Sequence, residues 1–461
     1  MDSSERQPSS FRDPSGFLFL RQGKLFRQIN HSYRDDYHHL MESGLYDVLI
    51  SRNLLIQHQE TEVRPWEPES AECVIQPETV PFISYPYEWC FSQLRAAALL
   101  TLEIQNLAMD HGMSMKDSSA YNIQFIRGKP VLIDTLSFEM YQEGDPWTAY
   151  RQFCQHFLAP LALICYLDPR LQQLLKIHLD GIPLDLASQL LPWRTRLKVP
   201  LLVHLHLHAS AQKRYAGQAV DLSPGSQKVS STGVRGILSS LASLIEKLSW
   251  EPSGTSWADY ASTHQYSDSA YQHKKELVST YLQDIQPDSV WDLGANTGEF
   301  SRLASKRGIQ TTAFDIDPGA VELNYQKCLL DQDPNLLPLQ VDLTNPSPGL
   351  GWENRERNSL VERGPADLVL ALALIHHMAL THNLPLNKVA GFFSKLGPWL
   401  VIEFIPKYDP QAQRLLVSRR DIFENYSEQD FERVFSTYYR IVEKQKVEDT
   451  QRCLYLMKKL D

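Results

Sequence analysis

The stretch that decides the fold is Val290-Trp291-Asp292-Leu293-Gly294-Ala295-Asn296-Thr297-Gly298-Glu299-Phe300. Its apolar start predicts a short buried strand, and its two glycines predict a tight turn into a helix. Such a segment directs backbone N–H groups at the polar end of a ligand. The later stretch Thr311-Thr312-Ala313-Phe314-Asp315-Ile316-Asp317-Pro318 predicts a second strand that ends in a carboxylate, as in a nucleotide-binding βαβ unit. We therefore expect a nucleotide-like cofactor here.

The bulk composition bounds the class of protein. The chain has 461 residues, which favours two or three domains, and a net charge of −10, which disfavours nucleic acid as a partner because phosphate binding requires cationic surface. Its six cysteines are scattered without a CxxC pair, so we expect neither a zinc site nor disulfides. The N-terminus lacks a secretory pattern, and no apolar run approaches the roughly 20 residues of a membrane span. We expect a cytoplasmic protein with no membrane partner.

The chain is predicted to contain two domains. Residues 1–15 are polar and are predicted to be a disordered tail, and residues 16–215 are predicted to form an α+β domain. Residues 216–233 are rich in Gly, Ser, Gln and Pro, which is typical of a linker. Residues 234–461 form the second domain.

The second domain shows a regular alternation of strands and helices. Strands are predicted at 289–293, 311–315, 337–341, 366–372 and 399–405, and a late pair at 439–446 and 452–458 would close one edge. Alternating strands and helices predict an α/β fold, with a mostly parallel, doubly wound sheet covered by helices on both faces.

The glycine turn has a spacing that carries more information. Asp292 precedes a GxxxG pair rather than GxGxxG, and Asp315 ends the next strand. This pattern resembles the first motifs of the class I S-adenosylmethionine-dependent methyltransferases, and the resemblance covers residues 260–461 approximately. It implies a Rossmann-like sheet and S-adenosyl-L-methionine as the cofactor. The alternative is a nicotinamide-binding Rossmann domain, which the glycine spacing and the final strand pair disfavour.

The resemblance also implies roles for individual residues. Gly294 and Gly298 would leave room for the methionine part of the cofactor, and Asp292 would hold its ammonium group. Asp315 would accept hydrogen bonds from the two ribose hydroxyls. Asn296 stands where many members have glycine, and Asn tolerates the left-handed backbone. The complete set of predicted cofactor-binding residues is Asp292, Gly294, Asn296, Gly298, Asp315, Ile316, Asp342 and Leu343 near the adenine, and Tyr266, which either covers the cofactor or is a core or lid aromatic.

Three residues are candidates for chemistry at the methyl acceptor. His376 and His377 end the fourth-strand segment, and a histidine there can act as a base at neutral pH. The alternative is that both histidines cap or pack. Glu403 ends the fifth strand and either hydrogen-bonds an acceptor or caps the following helix. The sequence leaves the acceptor unidentified; a small molecule is favoured, a protein remains an alternative, and the oligomeric state stays open.

The first domain contains a second polar pattern. Asp117, Asn122 and Asp134 are spaced as Asp-x4-Asn, a strand, a turn, and a strand ending in Asp. The pattern resembles the catalytic segment of protein-kinase-like phosphotransferases, in which the first Asp orients the acceptor hydroxyl while Asn and the second Asp hold magnesium. Ser-Met-Lys precedes Asp117, Thr-Leu follows Asp134, and no glycine-rich phosphate loop is evident. The resemblance therefore implies a degenerate kinase-like domain, and the alternative is a set of polar residues that cap a loop.

Three alternating histidines raise the question of a metal. His204, His206 and His208 would share one face of a strand but spread around a helix. No cysteine or acidic partner lies nearby in the sequence, so we predict no metal site.

The prediction from the whole sequence is a methyltransferase that uses S-adenosyl-L-methionine and acts on an unidentified acceptor. The first domain would assist acceptor binding or regulation. Two alternatives remain. One is a kinase-like phosphotransferase or ATP-binding protein with an accessory cofactor-binding domain, and the other is a non-catalytic scaffold that binds S-adenosylmethionine.

Overall fold

The computed structural model describes residues 4–209, 228–252, 267–417 and 424–460. The chain divides into two compact units. The first contains Met1–Trp250 together with the short segment Leu350–Arg357, and the second contains Glu251–Gly349 and Asn358–Asp461.

Three small sheets occur in the described part of the first unit. Their strands are β1 (Ser4–Arg6), β2 (Gly16–Arg21), β3 (Lys24–Asn30), β4 (His58–Thr61), β5 (Ala71–Pro77), β6 (Met113–Met115), β7 (Ile123–Ile126), β8 (Lys129–Leu132) and β9 (Phe138–Met140). The first five form an antiparallel sheet in the order β1-β2-β3-β5-β4, whereas β6 pairs with β9 and β7 with β8. The β2–β3 hairpin turns at Gln22 and Gly23, whose φ angles of 52° and 74° suit the twist of a two-residue hairpin.

Strand β1 corrects the prediction of a disordered tail at residues 1–15. Ser4, Glu5 and Arg6 pair with β2, and the guanidinium of Arg6 lies 3.9 Å from the centre of the Phe17 ring. A polar segment forms this edge strand because main-chain hydrogen bonds and one cation–π contact hold it, neither of which requires apolar side chains.

Most of the remaining first unit is helical. Its α-helices are α1 (Arg34–Glu42), α2 (Leu45–Ser51), α3 (Phe91–Asp110), α4 (Tyr150–Phe153), α5 (Ala159–Tyr166), α6 (Leu174–Ile177), α7 (Leu184–Leu190), α8 (Val199–Leu201) and α9 (Ser231–Lys247). Shorter 3-10 turns lie at His31–Tyr33, Pro86–Glu88, Ala120–Asn122, Pro169–Gln173 and Trp193–Leu197, and π-helical segments lie at Cys154–Leu158 and Leu202–Leu207.

Helix α9 lies in the first unit, although the sequence predicts residues 234–250 as part of the second domain. Its buried Leu238 and Leu241 belong to the stripe that packs against α3, and Arg235 forms a 2.7 Å ion pair with Asp110. The division at Trp250 therefore comes later than the predicted linker at 216–233, of which 216–227 are outside the described residues. Amphipathicity identifies the buried face of such a helix but not the unit that buries it.

The second unit is built on one seven-stranded sheet. Its strands are β10 (Ser289–Leu293), β11 (Gln310–Asp315), β12 (Leu336–Gln340), β13 (Leu368–Ala371), β14 (Trp399–Phe404), β15 (Tyr439–Lys446) and β16 (Cys453–Lys459). The order is β12-β11-β10-β13-β14-β16-β15. The first five strands are parallel to one another, and β16 runs antiparallel to both of its neighbours, β14 and β15. This sheet confirms the predicted doubly wound α/β fold, including the terminal strand pair.

The helices of this unit connect and cover the sheet. They are α10 (Asp268–Ile285), α11 (Ser301–Ser305), α12 (Pro318–Asp331), α13 (Leu386–Phe393), α14 (Pro410–Leu416) and α15 (Glu428–Phe435), with a π-helical segment at His377–Thr381. A 3-10 turn at Trp352–Asn354 belongs to the first unit, because it lies in the segment Leu350–Arg357. The α10 residues Val278 and Leu282 pack on β10 and β13 residues such as Val290 and Leu368. Within the described ranges, no helix has both the length and the apolarity to cross a bilayer.

The strand order alone indicates where a ligand would bind in the second unit. β10 lies between β11 and β13, so the chain proceeds outward in opposite directions from this central strand. In open parallel sheets, ligands bind at the carboxyl ends of the strands where the order reverses.

Candidate cofactor-binding site

The glycine turn connects β10 to the end of β11 through its main chain. The N–H groups of Gly294 and Ala295 donate to the Phe314 carbonyl oxygen at 2.8 and 2.9 Å. Asn296 has the left-handed φ of 49°, and its N–H donates to Asp315 Oδ2 at 2.7 Å. The turn therefore brings the Asp315 carboxylate directly beside the loop.

A side chain at either glycine, Gly294 or Gly298, would contact neighbouring protein atoms. A Cβ on Gly298 would lie 2.4 Å from Asn324 Oδ1, and one on Gly294 would lie 3.2 Å from Leu374 Cδ1. Both have positive φ, 79° and 74° respectively, which favours glycine independently of any ligand. The expectation that Gly298 leaves room for the cofactor is thus replaced by close packing against α12.

A cavity of about 430 Å³ opens at the carboxyl ends of the central strands. This volume lies within the usual range for small-molecule sites, roughly 300–1,000 Å³. Its described lining does not include Gly298, His376 or Glu403. The predicted residues that line it are Asp292, Gly294, Asn296, Asp315, Ile316, Asp342, Leu343 and His377.

Two carboxylates, the buried Asp292 and the half-buried Asp315, dominate the electrostatics of the cavity. Asp292 is 2% exposed and accepts a 2.6 Å hydrogen bond from the Ser301 hydroxyl, yet burial raises its pKa to about 6. Burial likewise raises the pKa of Asp315 to about 6, although the N–H groups of Asp317 and Asn296 donate to it. Both carboxylates are therefore short of stabilising partners, and a ligand with a cationic group or hydroxyl donors would supply them.

The chain just after β12 contributes Asp342 and Leu343 to the predicted cofactor site. Asp342 Oδ1 accepts from the N–H and hydroxyl of Thr344 at 2.8 and 2.7 Å. Leu343 is 8% exposed, whereas Ile316 is 49% exposed and presents an apolar side chain to the cavity. Tyr266 lies outside the described residues.

The adjacent histidines occupy different environments. His377 lines the cavity, and burial lowers its pKa to about 4, which keeps the ring neutral at pH 7. His376 is fully buried, both of its ring nitrogens lack a hydrogen-bond partner, and burial holds its pKa well below the usual value. Of the two adjacent histidines, His377 is therefore the one placed to meet an acceptor.

Glu403 is committed to an internal ion pair. Its Oε2 lies 2.7 Å from Lys274 Nζ and accepts from the Ala373 N–H at 2.8 Å, and the side chain is fully buried. Burial lowers the pKa of Lys274, an effect that Glu403 opposes. Glu403 therefore positions Lys274 and Ala373 and does not reach the cavity as a free base.

Lys274 lines the cavity and was not predicted from the sequence. Its Nζ lies 4.6 Å from the centre of the Phe300 ring. A signal existed in the spacing, because Ala270, Lys274, Val278 and Leu282 recur every four residues on the buried face of α10. A lysine in such a series indicates a buried partner.

The described lining carries more negative than positive charge. It contains the carboxylates of Asp292, Asp315, Asp342 and Glu299 and the single ammonium of Lys274. Lys274 is paired with Glu403, and Glu299 is paired with Lys275 and Lys327, so the remaining charge is that of the three aspartates. The cavity is therefore suited to a ligand with cationic character.

In the first unit, the three kinase-like residues come together. Asp117 hydrogen-bonds Asn122, and Asn122 Nδ2 lies 3.4 Å from the Ser137 hydroxyl, which donates to Asp134 at 2.8 Å. Arg27 of β3 forms a short ion pair with Asp134. Burial opposes the ionisation of Asp134, but Arg27 and the hydrogen-bond donors outweigh it, so the pKa lies below its usual value.

The histidines at 204, 206 and 208 lie on a helical segment rather than a strand. His204 hydrogen-bonds Tyr150 and Ser240, and His206 hydrogen-bonds Ser188 and Thr195. Among the described residues, no group of three His, Cys, Asp or Glu side chains is arranged to hold a metal.

The solved structures that resemble this chain include a methyltransferase and a bifunctional kinase-methyltransferase. Magnesium protoporphyrin IX methyltransferase from Synechocystis PCC 6803, with bound SAH, is 17% identical over 41% of this chain and 84% of that chain, with a TM-score of 0.30. The bifunctional kinase-methyltransferase WbdD is 16% identical over 47% of this chain and 45% of that chain, with a TM-score of 0.29. This chain thus matches less than half of WbdD.

The sequence comparison is more extensive. No protein-family model matches the chain. The nodulation protein NoeA of Rhizobium meliloti (strain 1021) is 34% identical over 456 residues, which cover 98% of this chain and 95% of that protein. With this identity along nearly its whole length, the chain belongs to the family of nodulation protein NoeA.

Proposed function

We propose that the second unit binds S-adenosyl-L-methionine and transfers its methyl group to a small-molecule acceptor. The observation that carries the proposal is the pair of cavity carboxylates, the buried Asp292 and the half-buried Asp315, at the reversal point of the sheet. Burial raises the pKa of each to about 6 despite the donors that each already has, so further donors from a cofactor would stabilise both carboxylates.

The donor groups of the cofactor match the carboxylate acceptors of the cavity, and its adenine matches the apolar surfaces. Its ammonium group would donate to Asp292, and the two ribose hydroxyls would donate to Asp315. The adenine would lie between Ile316 and Leu343, with Asp342 as the acceptor for its amino group. Positive charge on the sulfonium suits the surplus of carboxylates.

On the acceptor side, His377 is the group placed for proton transfer. Methyl transfer moves CH₃ from the sulfonium to a nucleophile in line, and most of its rate comes from positioning. When the nucleophile carries a proton, the neutral His377 ring would accept it, because the lowered pKa keeps one ring nitrogen unprotonated at neutral pH. His376 and Glu403 support this region from behind the cavity wall.

Calorimetric titration tests the cofactor. We expect the protein to bind S-adenosylhomocysteine with one site per chain and to show no heat of binding with NAD⁺ under the same conditions. Binding of NAD⁺ instead would favour the nicotinamide alternative. Turnover of methyl-labelled cofactor in the presence of hydroxyl- or amine-bearing small molecules then separates an enzyme from a non-catalytic scaffold.

A second candidate function is phosphoryl transfer in the first unit. It is favoured by the hydrogen-bonded cluster of Asp117, Asn122 and Asp134, and opposed by the ion pair that Arg27 makes with Asp134. A rise in melting temperature with Mg-ATP that disappears in Asp134→Ala would support it, and the absence of any rise in the wild type would contradict it.

The family relationship suggests the physiological setting. The relative that matches nearly the whole chain is a nodulation protein, which supports a role for the proposed methyl transfer in nodulation. Deletion of the gene in a nodulating host strain, with Asp315→Ala as the matched point variant, would test this role.

A further inference from the structure

The first unit displays an unusual surface between α7 and the end of the Leu202–Leu207 segment, which we call the basic apolar surface. Its apolar members are Trp193, Leu197, Val199, Val203 and Leu207. The first three are 73%, 71% and 69% exposed, although side chains of this kind are normally covered.

The exposed apolar residues follow a regular helical spacing. Val199, Val203 and Leu207 recur every four residues and face outward, whereas the alternate series Leu201 and Leu205 is buried. A helical segment with apolar residues on both faces buries one face in its own unit and presents the other to a partner.

The preceding turn is fixed in place. The Thr195 hydroxyl donates to the Pro192 carbonyl at 2.7 Å and lies 2.9 Å from His206 Nε2. Thr195 lies between Trp193 and Leu197, so both exposed side chains project from a turn that its hydrogen bonds fix in place.

Basic residues are interleaved with the apolar ones. Arg194, Arg196 and Lys198 are exposed, and residues 186–209 contain no acidic residue in a chain whose net charge is −10. None of the three forms an ion pair with a described residue; Lys198 Nζ donates to the Tyr166 hydroxyl at 2.8 Å. The surface is thus locally cationic on an acidic protein.

We propose that the basic apolar surface docks on the surface of a bilayer that contains anionic phospholipids. Tryptophan and aliphatic side chains enter the interfacial layer, and Arg and Lys contact the anionic headgroups. A second copy of the chain fits less well, because a symmetric contact would bring two sets of three cations together. No insertion across the membrane is required.

Co-sedimentation of the full chain with lipid vesicles tests the proposal. We expect binding to vesicles of phosphatidylcholine mixed with phosphatidylglycerol, weakening as salt is added, and little binding to phosphatidylcholine alone. Reversal of all three charges, Arg194→Glu, Arg196→Glu and Lys198→Glu, should lower the affinity by more than about 100-fold, since losing each basic residue near such a surface costs roughly fivefold and each new carboxylate adds repulsion. Trp193→Ser with Leu197→Ser should abolish most of the remaining binding.

Matched variants elsewhere serve as controls. Lys306, Lys388 and Lys395 are exposed, and their reversal to Glu should leave vesicle binding nearly unchanged, as should Leu330→Ser at an 83% exposed position. Circular dichroism checks that each variant is folded. The proposal is overturned by equal binding to neutral vesicles, by binding that survives the charge reversal, or by sedimentation velocity showing a dimer that Leu197→Ser dissociates.

Discussion

Asp134 and Asp315 are both half-buried carboxylates at or just after the end of a strand, but their surroundings differ. Asp134, after β8, is neutralised within the protein by Arg27 of β3, and its pKa lies below the usual value. Asp315, at the end of β11, receives main-chain donors but no described salt bridge, and burial raises its pKa to about 6. One carboxylate is satisfied by its own fold, whereas the other is left for a ligand.

The difference shows why a strand-end aspartate alone does not identify a site. Both residues satisfy a sequence pattern, and both patterns resemble nucleotide-binding families. The two residues differ because Asp134 is paired with Arg27 from a distant strand, whereas Asp315 lines a cavity. The predictions below test this separation.

The largest expected effect concerns Glu403, a third strand-end carboxylate, which resembles Asp134 because Lys274 neutralises it. Glu403→Ala should lower the free energy of unfolding by about 3–5 kcal/mol, because it leaves a buried ammonium without its partner. Urea unfolding followed by circular dichroism measures the change. Removing both charges with Lys274→Met and Glu403→Leu should cost less than Glu403→Ala alone. Equal stability of Glu403→Ala and wild type would contradict the structural role.

The next effect concerns the histidine pair. If His377 accepts the acceptor's proton, His377→Ala should lower methyl-transfer turnover by about 100-fold while S-adenosylhomocysteine affinity is kept. His376→Leu is the matched control; it replaces a fully buried ring without hydrogen-bond partners and should leave turnover within about twofold. Steady-state rates and calorimetry separate the two outcomes. Loss of activity in His376→Leu with normal activity in His377→Ala would reverse the assignment.

A smaller effect is expected from pH. Asp292 and Asp315 should bind the cofactor as carboxylates, and their free pKa values of about 6 mean that acid protonates them first. Affinity for S-adenosylhomocysteine should therefore be highest above pH 7 and fall as pH drops through 6, by about tenfold per carboxylate at pH 5. Asp134 should not contribute, because its pKa is already lowered. In Asp292→Asn, the pH dependence should shrink to that of one carboxylate; a flat profile in the wild type would contradict the account.

Much of the second unit follows from local sequence patterns. The predicted strands at 289–293 and 439–446 are β10 and β15, and the strand predicted at 452–458 is β16, one residue later, because apolar runs and turn residues specify these elements locally. The left-handed Asn296 also follows from local chemistry. The membership of helix α9 does not, because either unit could bury its apolar stripe.

The chemical state of the site depends on long-range contacts. Lys274 and Glu403 are 129 residues apart, so their ion pair exists only once α10 packs on the sheet. The burial of His376 and the exposure of His377 to the cavity depend on the π-helical segment that begins there. Sequence spacing places such residues near a site but does not reveal which of them face it.

The most direct measurement is calorimetric titration of S-adenosylhomocysteine into two matched variants, Asp315→Asn and Asp134→Asn. Asp315→Asn should lower the affinity by about 10- to 100-fold, because hydrogen bonds to a charged group contribute roughly 1.5–3 kcal/mol. Asp134→Asn, which changes a carboxylate already paired with Arg27, should leave the affinity unchanged. Equal affinity of Asp315→Asn and wild type, or a loss in Asp134→Asn alone, would contradict the assignment of the cofactor to the second unit.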